Sequence, residues 1–340
     1  MKQKEKKPEY HFFKNDKEKT AKKIGRDNIV AALEKMLLIR NFEIRAESAY
    51  QHGKIGGFFH AYMGQEAIQT AAIDVLGQDH WWITTYRCHA LALLTGVSPK
   101  EAMAELYGKI TGNALGRGGS MHLYSDRMLG GFGIVGGHLP IAAGAAFSLK
   151  YQQKENEVAI CFLGDGAVAQ GAFHETMNLC SLWDLPCIFV IENNQWGMGT
   201  AVNRAIAVQP IAEHFAKAYE MNSYTLDGMD YFNCYEGFKH IYQEMQKEGR
   251  PILVEAVTER FRGHSISDPG LYRSKQELEK VKKRDPIMII SEYLKEHDLL
   301  SDKEYEELNE KQKEIVLEAM KFADESPWPD LSTLEEGVFA

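Results

Sequence analysis

The sequence lacks the features that mark several large classes of protein. It has no apolar run of the roughly 18 residues that a membrane-spanning helix needs. Its formal net charge of −9 argues against a general nucleic-acid binder, which normally presents a basic face. The 340 residues include only 5 cysteines, and no two of them have the CxxC spacing of zinc and redox motifs. We therefore expect a globular protein that binds neither membranes nor nucleic acids.

The N-terminal segment and the cysteines bear on the cellular compartment. Residues 1–23 are rich in lysine but contain neither arginine nor an apolar core, so a transit peptide and a signal peptide both fit poorly. We predict a flexible N-terminal arm over residues 1–26. Cys161 and Cys187 lie within apolar, strand-like runs, where cysteine behaves as a small hydrophobe. We interpret them as reduced core residues, which favours a cytoplasmic protein.

Helical segments alternate with short apolar runs along most of the chain. Helical spacing of apolar residues covers residues 29–50, and capping boxes at Ser98 and Ser301 predict two further helix starts. Four apolar runs without a helical period are typical of buried strands: residues 81–85, 158–163, 187–192 and 252–257. The alternation predicts an α/β fold over residues 27–273, a parallel sheet flanked by helices on both faces. The charged segment 274–340 predicts a helical C-terminal extension.

Two glycine-rich stretches interrupt this pattern, at residues 112–120 and 130–137. So many glycines permit close approach of the backbone to a ligand or to other backbone, although a pair of flexible loops is the alternative. Residues 131–136 also suggest the phosphate loop of a nucleotide-binding oxidoreductase. Such a fingerprint requires a preceding strand and an acidic residue about 20 positions further on, and the sequence indicates neither.

Polar side chains stand directly after two of the predicted strands. Gly164-Asp165-Gly166 follows one strand, Asn193-Asn194 ends the next, and a helix over about residues 169–183 is expected between them. The strands of such a unit are parallel, so Asp165 and Asn194 should meet at the carboxyl edge of the sheet. Their oxygen donors suit Mg²⁺ or Ca²⁺, and Mg²⁺ commonly keeps phosphate oxygens as ligands. We predict a cation site that holds a diphosphate, with backbone N–H groups of Gly166 and Ala167 facing the phosphates.

This combination resembles the thiamine diphosphate motif shared by transketolases, pyruvate decarboxylases and 2-oxo acid dehydrogenases. The resemblance extends from about residue 37 to the C-terminus. Further segments look like the alpha subunits of the 2-oxo acid dehydrogenases that act on pyruvate: Tyr86-Arg87-Cys88-His89, Gly116-Arg117-Gly118-Gly119-Ser120-Met121-His122, Gly133-Ile134-Val135-Gly136, residues 192–200 and residues 263–270.

The resemblance implies a set of cofactor contacts. Asp165, Asn194 and the main-chain carbonyl of Trp196 would bind Mg²⁺, and a backbone ligand tolerates tryptophan where the family usually has tyrosine. The contacts implied for thiamine diphosphate are Tyr86 and Arg87 at the diphosphate, the backbone of Gly133 and Val135 at the aminopyrimidine ring, and His264 at the phosphates. An arginine fork suits phosphate geometry.

Several other residues acquire expected roles from the same resemblance. His264 becomes an active-site loop residue, and His60 a residue that contacts substrate, with a capping or core role as the alternative for His60. The sequence does not rank His89, His122 and His138. Ser265 matches a serine that regulatory kinases phosphorylate in mitochondrial relatives. A second serine of those relatives is lacking after Gly270, so we expect that phosphorylation is not used here.

The resemblance also implies partners. In two-chain members of the family, the glutamate that activates the aminopyrimidine ring comes from a beta subunit, and nothing in this sequence presents it recognisably. We therefore expect an alpha2beta2 heterotetramer with a cofactor at each alpha–beta boundary, acting on pyruvate and passing the acetyl group to a lipoyl acyltransferase. The alternatives are an alpha subunit of a branched-chain 2-oxo acid or acetoin dehydrogenase, and a non-catalytic scaffold subunit.

Overall fold

The structure is a computed structural model that describes residues 8–337, so expectations for residues 1–7 and 338–340 lie outside the described residues. The helices are α1 (Lys17–Ile24), α2 (Arg26–Gln51), α3 (Glu66–Leu76), α4 (His89–Leu94), α5 (Pro99–Leu106), α6 (Leu139–Tyr151), α7 (Gly171–Leu182), α8 (Val202–Ala205), α9 (Ile211–Ala218), α10 (Tyr231–Glu248), α11 (Lys275–Lys282), α12 (Pro286–Glu296) and α13 (Asp302–Glu325). The strands are β1 (Trp81–Thr85), β2 (Met128–Phe132), β3 (Ala159–Gly164), β4 (Cys187–Asn193), β5 (Trp196–Gly197), β6 (Thr200–Ala201), β7 (Asn222–Asp227) and β8 (Ile252–Val257). Short 3₁₀ helices occupy Gly119–Met121, Asp165–Ala169 and Leu331–Thr333.

Six strands form one parallel sheet in the order β2-β1-β3-β4-β8-β7, and β5 and β6 form a separate antiparallel pair. One hydrophobic core joins the sheet to helices α2, α3 and α10, and a second core joins its other face to α6, α7 and α9. Strands β3 and β4 are covered on both faces, which explains why their sequences are continuous apolar runs. The predicted α/β fold with helices on both faces is confirmed.

Both strands that the sequence did not predict, β2 and β7, are the edge strands of this sheet. Strand β2 contains Gly130 and Gly131, which suggested a loop, and β7 is largely half-exposed and begins with the polar pair Asn222-Ser223. An edge strand packs against fewer neighbours, so its sequence carries a weaker apolar signal. Strand β2 leads directly into residues 131–136 and includes the first two of them, so the argument that this stretch lacks a preceding strand was wrong.

The two ends of the chain pack against the sheet domain. Within the range 1–26, expected as a flexible arm, Lys17–Ile24 forms helix α1 with buried Thr20, Ala21 and Ile24, so this part is packed because it has its own apolar face. Helix α13 begins at the predicted Ser301 capping box and contributes Val316 to the larger core. The helical character of residues 274–337 is confirmed, while the domain boundaries stay a prediction.

The structure bears on the predictions about reduced cysteines and about membrane-spanning segments. All five cysteines, including Cys161 and Cys187, are buried free thiols, as a reduced core requires. Burial raises the pKa of Cys88 to about 12 and that of Cys161 well above its ordinary value, so both are protonated at neutral pH. No helix within residues 8–337 is long and apolar enough to cross a bilayer.

The glycine-rich segment 112–120 wraps around one buried carboxylate that the sequence analysis did not identify. Glu105, near the end of α5, is fully buried. Its two oxygens accept four backbone N–H groups, from Ala114 at 2.8 Å, Gly116 at 2.9 Å, Gly118 at 2.7 Å and Gly119 at 3.0 Å. Gly116 has φ +78°, and a Cβ there would lie 2.6 Å from the carbonyl oxygen of Gly108. The glycines therefore let the chain fold closely around a carboxylate and around other backbone.

The substitution Glu105→Gln tests this organisation. The amide would turn its NH₂ group toward one pair of N–H donors, and a buried donor without an acceptor costs about 2 kcal/mol. We expect that loss in the free energy of unfolding, measured with urea. Glu101→Gln, in the exposed capping box of α5, is the matched control, with an expected change below about 0.5 kcal/mol. Equal stability of the Glu105 variant and the wild type would contradict this account.

Candidate active site

A cavity of about 770 Å³ opens at the carboxyl edge of the sheet, between the ends of β1, β3 and β4. Parallel α/β sheets bind ligands at this edge. All of the site residues proposed from the sequence line this one cavity: His60, Tyr86, Arg87, Gly133, Val135, Asp165, Gly166, Ala167, Asn194, Trp196 and His264. The structure therefore brings the residues together, while the role of each remains a prediction.

Asp165 and Asn194 meet because their strands run side by side. Gly164 at the end of β3 pairs with Glu192 in β4, so the residues that follow leave the sheet next to one another. The backbone N–H of Asn194 donates to the carbonyl oxygen of Glu192 at 3.1 Å, which holds the start of the next turn at the end of β4. Asp165 is only 3% exposed, and this burial, opposed by the charge of Arg260, raises the pKa of its carboxyl to about 6. A desolvated carboxylate of this kind favours a nearby cation.

The amide of Asn194 is held by Gln65, which the sequence analysis did not identify, and by the backbone of Trp196. Its Nδ2 donates to Oε1 of Gln65 at 3.1 Å, and its Oδ1 accepts the backbone N–H of Trp196 at 3.4 Å. Gln195, between them, has φ +71°, a left-handed conformation that turns the chain sharply. This turn brings both Asn194 and Trp196 to the lining of the cavity.

Further hydrogen bonds, made by Asn193 and Gln195, hold this turn in place. Asn193 donates to Glu255 of β8 at 2.7 Å and to the hydroxyl of Tyr10 at 3.3 Å, and Gln195 donates to the same hydroxyl at 3.3 Å. Burial raises the pKa of Glu255, whose other oxygen accepts the N–H of Ala212 at 3.0 Å. Tyr10 lies in the segment expected to be a flexible arm, so nothing in the sequence connected it with this turn.

Two buried arginines bring positive charge to the cavity. Arg87 donates to the carbonyl oxygens of Ala61 at 2.8 Å and His264 at 2.6 Å. Arg260 donates to Nδ1 of His264 at 3.0 Å and to the hydroxyl of Tyr272 at 3.1 Å, and its Nε has no protein partner among the described residues. Burial lowers the pKa of Arg260 to about 10. Two guanidinium groups removed from water suit an anionic ligand such as a diphosphate.

His60, Tyr86 and His264 form an aromatic cluster beside these arginines. The ring centroids of His60 and Tyr86 are 4.3 Å apart, and those of His60 and His264 are 5.1 Å apart. Burial and the charge of Arg87 lower the pKa of His60 to about 2 and that of His264 to about 3, so both imidazoles are neutral at pH 7. Because Arg260 can only donate, Nδ1 of His264 accepts, and the proton of this ring resides on Nε2.

The sequence did not rank His89, His122 and His138, and the structure places them at different positions. His122 and His138 line the cavity, whereas His89 lies behind it. Nε2 of His138 donates to the carbonyl of Phe162 at 3.0 Å, and burial lowers the pKa of His138 to about 4, so its Nδ1 is an acceptor. A Cβ on Gly133 would lie 3.2 Å from Nε2 of His122, so a side chain there would crowd the wall of the cavity.

Glu192 and Ser265 complete the polar lining of the cavity. Burial raises the pKa of Glu192 to about 7, while the hydroxyl of Tyr62 and the amide of Gln69 both donate to its carboxyl group. Ser265 is buried, and its hydroxyl pairs with that of Ser267 at 3.0 Å. Tyr62 and Gln69 thus hold one oxygen of Glu192, Oε1, while Ser267 holds the hydroxyl of Ser265.

The donor set at the cavity fits Mg²⁺ better than zinc. Within residues 8–337 no three His, Cys, Asp or Glu side chains are grouped to bind a metal. Asp165, Asn194 and the carbonyl of Trp196 would supply oxygens only, and Trp196 lines the cavity while its ring packs on Tyr272 at a centroid distance of 4.9 Å. Mg²⁺ with so few protein ligands takes its other ligands from water and phosphate. The arrangement therefore fits a magnesium ion bound together with a diphosphate.

Comparisons with known proteins agree over nearly the whole chain. The pyruvate dehydrogenase E1 component subunit alpha of Rickettsia felis is 40% identical over 316 residues, which cover 92% of this chain and 96% of that protein. The chloroplastic pyruvate dehydrogenase E1 component subunit alpha-3 of Arabidopsis thaliana is 42% identical over 314 residues, 90% of this chain and 73% of that protein. Residues 34–332 match the dehydrogenase E1 component family. The chain belongs to the dehydrogenase E1 component family.

Proposed function

We propose that the chain is the alpha subunit of the decarboxylating component of a pyruvate dehydrogenase complex. In this function it takes part in the oxidative decarboxylation of pyruvate and in transfer of the acetyl group to a lipoyl acyltransferase. The observation that carries the proposal is the convergence of Asp165, Asn194, Arg87 and His264 on one cavity at the carboxyl edge of the sheet. The pyruvate dehydrogenase alpha subunits that resemble this chain over most of its length support it further.

The cofactors that fit the cavity are thiamine diphosphate and Mg²⁺. Asp165, Asn194 and the Trp196 carbonyl would hold the metal, while Arg87 and Arg260 would neutralise the diphosphate. The contacts proposed for the rest of the cofactor are the hydroxyl of Tyr86 and the backbone N–H groups of Gly166 and Ala167 at the phosphates, and the backbone of Gly133 and Val135 at the aminopyrimidine ring. Bound thiamine diphosphate supplies a carbon nucleophile that adds to the 2-oxo carbon and accepts the electrons released with CO₂.

Two neutral histidines, His264 and His60, are proposed to contact the reacting atoms of the substrate. His264 holds its proton at Nε2, because Arg260 donates to its Nδ1, so it is a hydrogen-bond donor. His60 stands 5.1 Å from it, ring to ring, and its Nδ1 has no partner within residues 8–337. A neutral donor stabilises developing oxygen charge without the cost of burying a cation. We assign both side chains to the oxygens of pyruvate.

The proposed partner is a beta subunit that supplies the missing catalytic carboxylate. The two acidic residues that line the cavity are Asp165, assigned to the metal, and Glu192, whose Oε1 accepts hydrogen bonds from Tyr62 and Gln69 at the end of β4. The lining of the cavity includes the exposed apolar side chains of Phe58, Ile134, Val135 and Met198. Exposed apolar groups at a cavity mouth mark an interaction surface. These features support an alpha2beta2 heterotetramer, and the five free thiols support a cytoplasmic location.

The two-chain proposal predicts that activity requires both subunits. The purified alpha chain with thiamine diphosphate and Mg²⁺ is expected to release no ¹⁴CO₂ from carboxyl-labelled pyruvate. Addition of the beta chain from the same organism should restore turnover. An alpha chain that turns over pyruvate alone, with mass spectrometry showing no co-purified beta chain, would contradict the proposal.

The pyruvate assignment predicts a substrate preference. With both subunits present, kcat/KM for pyruvate should exceed that for 2-oxoisovalerate by at least about tenfold, because added methyl groups must fit beside His60 and Phe58. Comparable values for 2-oxoisovalerate, or turnover of acetoin in its place, would reassign the chain to a branched-chain 2-oxo acid or acetoin dehydrogenase.

A third prediction concerns the stability of the cofactor-free protein. Burial raises the pKa of Asp165 from 3.8 to about 6, so the folded state binds this proton more tightly, and stability falls as the pH rises through that window. The isosteric variant Asp165→Asn has no such proton to release, so its stability does not fall in this way. Without ligands at neutral pH, it should be more stable than the wild type by roughly 2–3 kcal/mol. The difference should vanish at about pH 4, near the unfolded pKa of aspartate. Thermal unfolding at both pH values measures it.

Asp268→Asn is the matched control for that experiment, with the opposite expected sign. Although burial opposes the effect, donors from Tyr272 and from the backbone of His264 and Gly270 lower the pKa of Asp268. Its charged form therefore stabilises the folded protein above the unfolded pKa, and the asparagine variant should be less stable at neutral pH. Destabilisation of the Asp165 variant at neutral pH would contradict its assignment as a site kept for a cation.

A further inference from the structure

Behind the cavity, three buried side chains from distant parts of the sequence form one hydrogen-bonded chain. Glu43 of α2 and His89, the first residue of α4, are completely buried, and Ser120 is nearly so. The carboxylate oxygens of Glu43 lie 3.0 and 3.1 Å from Nδ1 of His89. On the other side of the ring, Nε2 lies 2.9 Å from both the carbonyl oxygen and the hydroxyl of Ser120. None of the cofactor contacts proposed above uses these side chains.

The groups around His89 give each ring nitrogen a separate partner. The carboxylate of Glu43 has no hydrogen to donate, so Nδ1 of His89 donates to it. Nε2 pairs with Ser120 on the other side of the ring, so the imidazole links Glu43 to Ser120. Charge-assisted hydrogen bonds in a dry interior are strong, and loss of either partner leaves a buried group unpaired.

Each end of this chain holds a different wall of the cavity. Oε1 of Glu43 also accepts the backbone N–H of Tyr62 at 2.9 Å, within the segment 58–65, which we call the first wall and which carries His60. The ring of His89 stacks on Phe59 of that wall at 5.2 Å. Ser120 begins the second wall, residues 120–122, which lines the cavity through Met121 and His122.

We propose that Glu43 and His89 are positioning residues that set the distance between these two walls. The first wall places His60 at the proposed substrate position, and the second places His122 against Gly133 at the proposed cofactor ring. An error of about 1 Å in such placement costs a large factor in rate. The activity effects of this inference rest on the proposed function, but the connection between the walls does not.

Two substitutions of His89 separate the two contacts. The amide nitrogen of asparagine falls near the position of Nδ1, so His89→Asn keeps the donor to Glu43 and loses the contact with Ser120. The longer side chain in His89→Gln reaches toward the position of Nε2, so it keeps Ser120 and loses Glu43. One lost charge-assisted hydrogen bond corresponds to about tenfold. In the alpha–beta protein, we expect His89→Asn to raise KM for thiamine diphosphate about tenfold and to leave kcat nearly unchanged. We expect His89→Gln to lower kcat for pyruvate about tenfold and to leave KM for thiamine diphosphate nearly unchanged.

A buried histidine at the opposite edge of the sheet provides the matched control. His80 precedes β1, accepts the N–H of Val158 at 3.4 Å and packs on the ring of Tyr242. His80→Asn should lower the unfolding temperature without a change in KM or kcat. If both His89 variants behave like this control, or change KM and kcat alike, the positioning proposal is overturned. Should the His89 variants fail to fold, Glu43→Gln replaces them, because it keeps an acceptor for the N–H of Tyr62. This variant is expected to lower kcat severalfold, and an unchanged kcat would overturn the proposal.

Hydrogen–deuterium exchange of the cofactor-free protein tests the same proposal without any activity. His89→Asn should speed exchange in residues 113–123 and leave residues 58–66 unchanged, and His89→Gln should do the reverse. This pattern in a protein that does not act on pyruvate would support the positioning chain while the proposed function fails. Unchanged exchange in both segments, in an active enzyme, would overturn the positioning chain and leave the proposed function standing.

Discussion

Asp165 stands at the end of a central parallel strand, and its carboxyl group is only 3% exposed. A carboxyl group buried in this way must be compensated by a proton, a cation or hydrogen bonds, and the protein itself supplies few of these to Asp165. Burial raises the pKa of its carboxyl, and the charge of Arg260 and nearby backbone N–H groups oppose that rise only in part. The surroundings of Asp165 follow from this constraint. Asn194 adds a neutral oxygen donor, and the two buried arginines face where an anion would accompany a cation.

Other buried carboxylates hold the loops that surround this site. Glu105 collects four N–H groups of the glycine-rich segment, and Glu255 holds Asn193 on one side and the start of α9 on the other. Glu43 joins the backbone of Tyr62 to His89. In each case one side chain with two acceptor oxygens holds backbone or side-chain groups of other segments of the chain. The active cavity is thus built from irregular backbone whose shape depends on a few desolvated acids.

The sequence predicted the centre of the fold and of the site better than the edges. The buried strands β1, β3, β4 and β8 were found because covering both faces of a strand demands a continuous apolar run. The edge strands β2 and β7 carry no such demand and were missed. Asp165 and Asn194 were found because they stand directly after predicted strands. Gln65, Arg260 and Tyr10 were missed, because their importance comes from long-range contacts that no local spacing encodes.

The central claim is that this chain holds the metal and diphosphate half of a shared thiamine site. The most direct test is calorimetric titration of thiamine diphosphate into the alpha–beta protein, with Mg²⁺ and with EDTA. We predict one cofactor bound per alpha chain with Mg²⁺, and no measurable binding in EDTA or to a protein carrying Asp165→Ala, because Asp165 would hold the metal that neutralises the diphosphate. Binding of equal affinity in EDTA, or to the Asp165→Ala protein, would contradict the claim.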